Sequence, residues 1–270
     1  MILQAIHWNF DPEIFEIWGH GVRWYGLMFA FAFFFGYIIM KKYFEHDKLK
    51  EELLEKLSIY VFLGTLIGAR LGHTLFYQPE YYLSRPHEIL FVWEGGLASH
   101  GAAVGILLAL WLYARKINVP YLWILDRVVI VVALGGFFIR MGNFFNSEIY
   151  GIETSLPWGV IFERKGETVP KHPTQIYEAL SYLLIFVGLH FHFLKIRAKQ
   201  LNGQIFGIFL VLLFSARFLI EFIKQDQVGF EATMKLNMGQ WLSLPFIAIG
   251  IGLIYWVQKN KKTLGEHNKA

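Results

Sequence analysis

Arg140, Asn143, Asn146 and Glu148 share one short stretch, Arg140-Met141-Gly142-Asn143-Phe144-Phe145-Asn146-Ser147-Glu148, which ends an otherwise apolar run. Lipid disfavours each of these side chains. An ionisable group in a spanning segment costs roughly 2.5–3.5 kcal/mol or more, so its retention is a sign of function. Gly142 and Gly151 let the backbone turn tightly and approach a ligand. Tyr25, Arg70, His100, Arg217 and Glu221 interrupt other apolar runs in the same way. Arginine suits phosphate because its fork donates two parallel hydrogen bonds and keeps its proton. Histidine can move a proton near neutral pH. The chemistry open to such a set is anion binding with assisted proton transfer.

Competing chemistries lack their parts. There is no cysteine among the 270 residues, which excludes a disulfide, a Cys-ligated metal and an enzyme-borne thiol nucleophile. His87-Glu88-Ile89-Leu90-Phe91 begins like a zinc protease motif but has no second histidine, and His190 and His192 would face different sides of a helix. No G-x-S-x-G elbow, phosphate-binding loop or dinucleotide fingerprint is present.

The elements that carry these residues follow from composition. The chain is 55% hydrophobic and only 17% charged, against about 25% charged in average globular chains, which leaves too little polar surface for a water-facing fold. A span needs about 20 mostly apolar residues. Seven stretches qualify, at roughly 21–41, 57–77, 97–115, 122–141, 174–195, 204–224 and 239–258. None alternates every second residue as a barrel strand would. The expected fold is therefore an all-α polytopic membrane protein with about seven transmembrane helices. It reads as a single domain over residues 1–270, with no internal repeat. The stretch from Glu45 to Lys56 reads as a solvated lead-in to the second helix. The longest loop, 142–173, is of a length that is usually functional or disordered. No cleaved signal peptide is apparent. No run interleaves basic and aromatic residues, so no nucleic-acid partner is expected.

Lysines and arginines number 14 in one set of connecting segments (41–56, 115–121, 195–203, 259–270) and 6 in the other. That asymmetry predicts an outside N-terminus and a cytoplasmic C-terminus. Tyr25, Arg70, His100, Arg140, Arg217 and Glu221 then converge on the outer half of the bilayer. Each has an ordinary structural reading: Tyr25 in an aromatic belt, Arg70 paired with an acid, His100 in an interhelical hydrogen bond. Arg217 and Glu221 read as an i,i+4 pair, Asn143 and Asn146 as a helix C-cap, and Arg127 as an arginine snorkelling to the cytoplasmic headgroups. Independent accidents would have scattered through both leaflets. Arginines in excess over acids at one depth describe an anion site, and the anion most available there is a phospholipid headgroup. A lipid-binding protein or transporter is the alternative. A transporter would place its polar residues at the midplane of inverted repeats.

The residues now carry a resemblance. The stretch Arg140 to Gly151 resembles the signature of the bacterial prolipoprotein diacylglyceryl transferases. Supporting blocks are Arg23-Trp24-Tyr25-Gly26-Leu27, Gly68-Ala69-Arg70-Leu71-Gly72, Gly95 to Gly101, His172 to Ala179, Arg217 to Phe222 and Met238 to Ser243. The resemblance implies transfer of an sn-1,2-diacylglyceryl group from phosphatidylglycerol to the cysteine thiol of a lipobox-containing preprolipoprotein. The products would be a thioether and glycerol 1-phosphate, with no cofactor. It also implies a multi-pass enzyme of the bacterial inner membrane, with its active site toward the periplasm. By the same resemblance, Arg140 and Arg217 act on phosphatidylglycerol and His100 assists thiol deprotonation. Tyr25, Asn143, Asn146, Glu148, Gly151 and Glu221 match other positions important in the family, and Arg70 joins them in the expected substrate-binding set by its place at the same depth. Ile152, Lys224 and Ala102 depart from the residues common in the family.

Overall fold

A computed structural model describes residues 5–17, 20–92, 95–196, 201–225 and 234–261. Helices dominate. The long ones are α1 (Trp24–His46), α2 (Glu51–Phe76), α4 (Ser99–Ile117), α5 (Tyr121–Phe145), α6 (Thr174–Ile196), α7 (Gln204–Ile220) and α8 (Met238–Lys259), and a short α3 spans Pro79–Ser84. Each of the seven expected spans coincides with one long helix. Six of these are long and apolar enough to cross a membrane; α4 is not in that set, because polar residues crowd both its ends (Ser99, His100, Arg115, Lys116). The protein is an all-α multi-pass membrane protein.

Four short strands were not legible in the sequence. They are β1 (Ile6–Trp8), β2 (Glu13–Ile17), β3 (His20–Arg23) and β4 (Val160–Phe162). β2 and β3 form an antiparallel hairpin ahead of α1. β1 pairs in parallel with β4, across more than 150 residues of sequence, in the register Ile6–Val160, His7–Ile161, Trp8–Phe162. A three-residue strand carries too little periodicity to be read, and its parallel partner lies far away.

The chain divides into two compact units. The larger comprises Met1–Ile38 and Asp126–Ala270. Here α5 and α6 together supply most of the buried apolar residues, including Val128, Ile130 and Ala133 on α5 and Ala179, Leu189 and Phe193 on α6. Asp126, fully buried on α5, accepts the backbone N–H groups of Gly203 and Phe206, each at 2.7 Å. It thereby caps the start of α7 in place of a local cap residue. Arg127 is 5% exposed with its guanidinium over the Phe193 ring. Burial corrects the expectation that it snorkels, since the aromatic face takes up the charge instead.

The smaller unit is Ile39–Leu125. Its centre is the α2–α4 pair, where Gly64, Gly68 and Gly72 face Gly101, Gly105 and Ala109 at four-residue spacing. A Cβ at Gly64 would stand 2.7 Å from the Gly105 carbonyl oxygen, so only hydrogen fits between the backbones. Lipid tails are as apolar as leucine, so helices in a membrane gain little by hiding apolar side chains. Close backbone approach through small residues supplies the packing instead.

Candidate functional site

The apolar run of α5 continues through Arg140 and Asn143 to Phe145, so both polar side chains project from a helix rather than a loop. The chain then reverses at Ser147 (φ 53°) and Ile149 (φ 60°). A β-branched residue with positive φ is strained, and such strain persists only where surrounding bonds fix it. Here Thr174 Oγ1 donates to the Ile149 carbonyl at 2.9 Å and Gln175 Nε2 donates to the Glu148 carbonyl at 2.6 Å. The first turn of α6 thus holds the reversal. Gly151 lies against His172, Thr174 and the Ile223 carbonyl with no room for a side chain. Its N–H donates to His172 O at 2.8 Å, and Ile152 N–H donates to Ile223 O at 3.0 Å. These bonds tie the loop to both α6 and the end of α7.

Around this frame the charges assemble. Glu178, fully buried on α6, pairs with Arg140 Nε through Oε2 at 3.0 Å and with Lys224 Nζ through Oε1 at 3.3 Å. Glu221 Oε2 takes the same lysine at 3.3 Å. Arg140 Nη1 donates to Asn143 Oδ1 at 3.1 Å. Asn143 and Asn146 in turn donate to the two Glu148 carboxylate oxygens at 3.5 and 3.3 Å. Tyr25 packs against Gly142, where a Cβ would stand 2.8 Å from its ring. Among the described residues no carboxylate pairs with Arg217, although it lies near enough to act electrostatically on Lys224 and Tyr182. Tyr25, Arg140, Asn143, Asn146, Glu148, Gly151, Arg217 and Glu221 all lie in the larger unit.

Several details differ from the sequence reading. Arg217 and Glu221 do not pair with each other; α7 ends at Ile220 and Glu221 enters a 3-10 turn that swings it toward Lys224. Asn143 and Asn146 bind Glu148 instead of capping α5. Lys224, noted only as a departure from the family, is 6% exposed and central to the network. Among the described residues the arginines are not in excess: Arg140, Arg217 and Lys224 are matched in number by Glu148, Glu178 and Glu221, so their formal charges cancel. The sequence signal for Lys224 and Glu178 was their place at the end of apolar runs, where burial demands a partner.

Two expected site residues belong to the smaller unit. Arg70 is 2% exposed and lies over the Tyr82 ring. Its nitrogens donate to the carbonyls of Ile89 (2.8 Å), Glu88 (2.6 Å) and Gly95 (2.6 Å), which ties the segment after α3 to α2. No acid pairs with it among the described residues. His100 is exposed in the first turn of α4.

The loop 142–173 is ordered by its own polar contacts. Lys171 joins Glu153 and Glu167 at 3.3 and 3.2 Å. Burial, together with a 2.8 Å hydrogen bond to Glu167, pushes the Tyr150 phenol up to about 12. Tyr177 receives Trp158 Nε1 at 2.8 Å and meets His172 Nδ1 at 3.2 Å. Burial lowers the His172 imidazole below its ordinary value.

The chain matches known proteins over nearly its whole length. The family model for prolipoprotein diacylglyceryl transferase matches residues 12–256. The phosphatidylglycerol–prolipoprotein diacylglyceryl transferase of Tolumonas auensis is 49% identical over 257 residues, covering 95% of this chain and 99% of its own. Those of Porphyromonas gingivalis and Bacteroides fragilis are 47% and 41% identical, covering 97% and 96% of this chain and 99% and 98% of theirs. By the extent of these matches, the chain belongs to the prolipoprotein diacylglyceryl transferase family.

Proposed function

We propose that this chain transfers the diacylglyceryl group of phosphatidylglycerol to the lipobox cysteine of preprolipoproteins, the first step of bacterial lipoprotein maturation. The observation that carries the reading is the arrangement of its two arginines. Arg140 forms an ion pair with Glu178 through Nε and donates to Asn143 from Nη1, and no described carboxylate neutralises Arg217. Such preorganised donors suit a phosphate on which charge gathers. Asn146 Oδ1, Ser147 Oγ and Gln175 Oε1 are buried without a hydrogen-bond partner nearby, a polar lining suited to the hydroxyls of a glycerol headgroup.

In the proposed step the substrate thiol gives its proton to His100. The thiolate then attacks the glyceryl carbon bearing the phosphate, the carbon–oxygen bond breaks, and the bonding pair leaves with glycerol 1-phosphate. A free thiol has a pKa of about 8.5, so assistance is needed near neutrality. Arg140 and Arg217 bind the phosphate, and Tyr25, Asn143, Asn146, Glu148, Gly151 and Glu221 keep them in place. Arg70 shapes the segment that follows α3. The positive-inside asymmetry supports an active site open to the outer leaflet of the inner membrane.

The test is transfer of labelled diacylglyceryl from phosphatidylglycerol to a lipobox peptide, with wild type beside Arg140→Ala and Arg217→Ala. Thioether formation by wild type and its loss in both folded variants is the expected result. A folded wild type that binds the lipid but forms no thioether would return the chain to the lipid-binding class.

A further inference from the structure

Glu178 holds a position that the phosphate-binding roles do not explain. Its carboxylate is fully buried. Desolvating a carboxylate is costly even when it is paired, and an apolar side chain of similar volume often serves stability as well. A carboxylate kept in such a place is therefore better explained by what it orients than by what it stabilises. Its two oxygens hold different cations: Oε2 takes Arg140 Nε at 3.0 Å and Oε1 takes Lys224 Nζ at 3.3 Å. The Tyr182 hydroxyl, one turn further along α6, donates to Oε1 at 3.5 Å.

A guanidinium can meet an anion through its side edge, with Nε, or through its end, with the two Nη nitrogens. With Glu178 Oε2 at 3.0 Å from Nε, an ion pair without hydrogen-bond alignment, an approaching anion meets the Nη end. Asn143 Oδ1 at 3.1 Å from Nη1 fixes the plane. We propose that Glu178 is a positioning residue of the transferase site, which bridges Arg140 and Lys224 so that Arg140 presents its Nη edge to the phosphate. The assignment rests on the diacylglyceryl-transfer reading above and adds to it the residue that aims the phosphate-binding arginine.

The consequence for kinetics is specific. Glu178→Gln keeps the side chain's shape but removes a negative charge. The site then attracts an anionic headgroup at least as well, so KM for phosphatidylglycerol does not rise. Arg140 meanwhile loses its fixed edge, and misplacement by about 1 Å costs on the order of 100-fold in rate. The expected result is a kcat about 10- to 100-fold lower with KM equal or reduced. Glu178→Asp, which keeps the charge on a shorter arm, recovers part of kcat. A residue with a purely structural role would change melting temperature and the active fraction, with no rescue that depends on charge.

The experiment measures kcat and KM for phosphatidylglycerol with a lipobox peptide, and melting temperature, for wild type, Glu178→Gln and Glu178→Asp in nanodiscs. A folded Glu178→Gln within twofold of wild-type kcat, or one whose loss lies wholly in KM, overturns the proposal. If Glu178→Gln fails to fold, Glu178→Gln/Lys224→Met removes the carboxylate with one of its cations and keeps the cluster neutral. Its kcat is then compared with that of Lys224→Met: a further loss of about tenfold upholds the role, and equality overturns it. A wild type that makes no thioether would instead remove the transfer reading itself, whatever the variants do.

Discussion

A single methyl group placed outside the charge cluster should disable it. Gly239, in the first turn of α8, lies against the Glu221 carboxylate. A Cβ there would stand 2.8 Å from Oε2 and closer still to Cδ and Oε1. Ordinary contact begins near 3.5 Å, so in Gly239→Ala the carboxylate must retreat by about 1 Å. Its 3.3 Å link to Lys224 is displaced by that retreat. Lys224 then leans on Glu178, and the strain reaches Arg140. A shift of about 1 Å at a group that touches substrate costs on the order of 100-fold; one relay away, a loss of about tenfold or more in kcat/KM is expected. Stability should fall by about 1–3 kcal/mol, because overpacking beside a buried ion pair outweighs the up to about 1 kcal/mol by which alanine favours a helix over glycine. The assay is kcat/KM for diacylglyceryl transfer beside melting temperature on the same nanodisc preparation. A stable Gly239→Ala with kcat/KM within threefold of wild type would refute the steric chain from Gly239 through Glu221 to Lys224.

Gly105→Val drives a branched side chain into the Gly64 backbone and should cost roughly 1–3 kcal/mol or more, read as a lower melting temperature that Gly252→Val, which has open space, does not share. Asp126→Ala leaves the Gly203 and Phe206 N–H groups buried without acceptors and should destabilise by about 2–4 kcal/mol. Arg140 lies about 20 Å further along α5, so kcat of the folded fraction should stay at the wild-type value. His172 has a folded pKa below its unfolded value, so folding disfavours its protonation. Stability should fall as pH drops below about 6.5 and level off beneath the folded pKa; pH-dependent melting of His172→Gln, with a flatter slope through that window, checks the sign.

Much of the membrane architecture could be read from the sequence, because a bilayer imposes length and apolarity on each helix. The polar positions were legible for the same reason: Arg140 and Glu221 stand out against phenylalanine and leucine. Partner choice was not. Glu178 lies 38 positions from Arg140 and 46 from Lys224, and no periodicity joins three helix ends. The i,i+4 spacing of Arg217 and Glu221 suggested a pair, but the helix gave way to a 3-10 turn one residue too early. Arg70 looked like an anion ligand by residue type, yet the carbonyls that engage it come from a segment without regular pattern. β1 and β4 stayed hidden because three-residue strands carry no signal of their own.

The cancellation of formal charge around Arg140 has a consequence for turnover. A strongly cationic pocket would gather phosphate compounds of every kind and hold a leaving monoester, whose charge approaches −2 near neutrality, more tightly than the diester that entered. With three acids set among three bases, the long-range field is small, and affinity depends on hydrogen-bond donors within a few ångströms. Such donors act on charge as it develops on one oxygen, and they exert little pull once the product has moved away. Capture of the lipid should then depend only weakly on ionic strength, because steering through water needs a net charge that this cluster does not have.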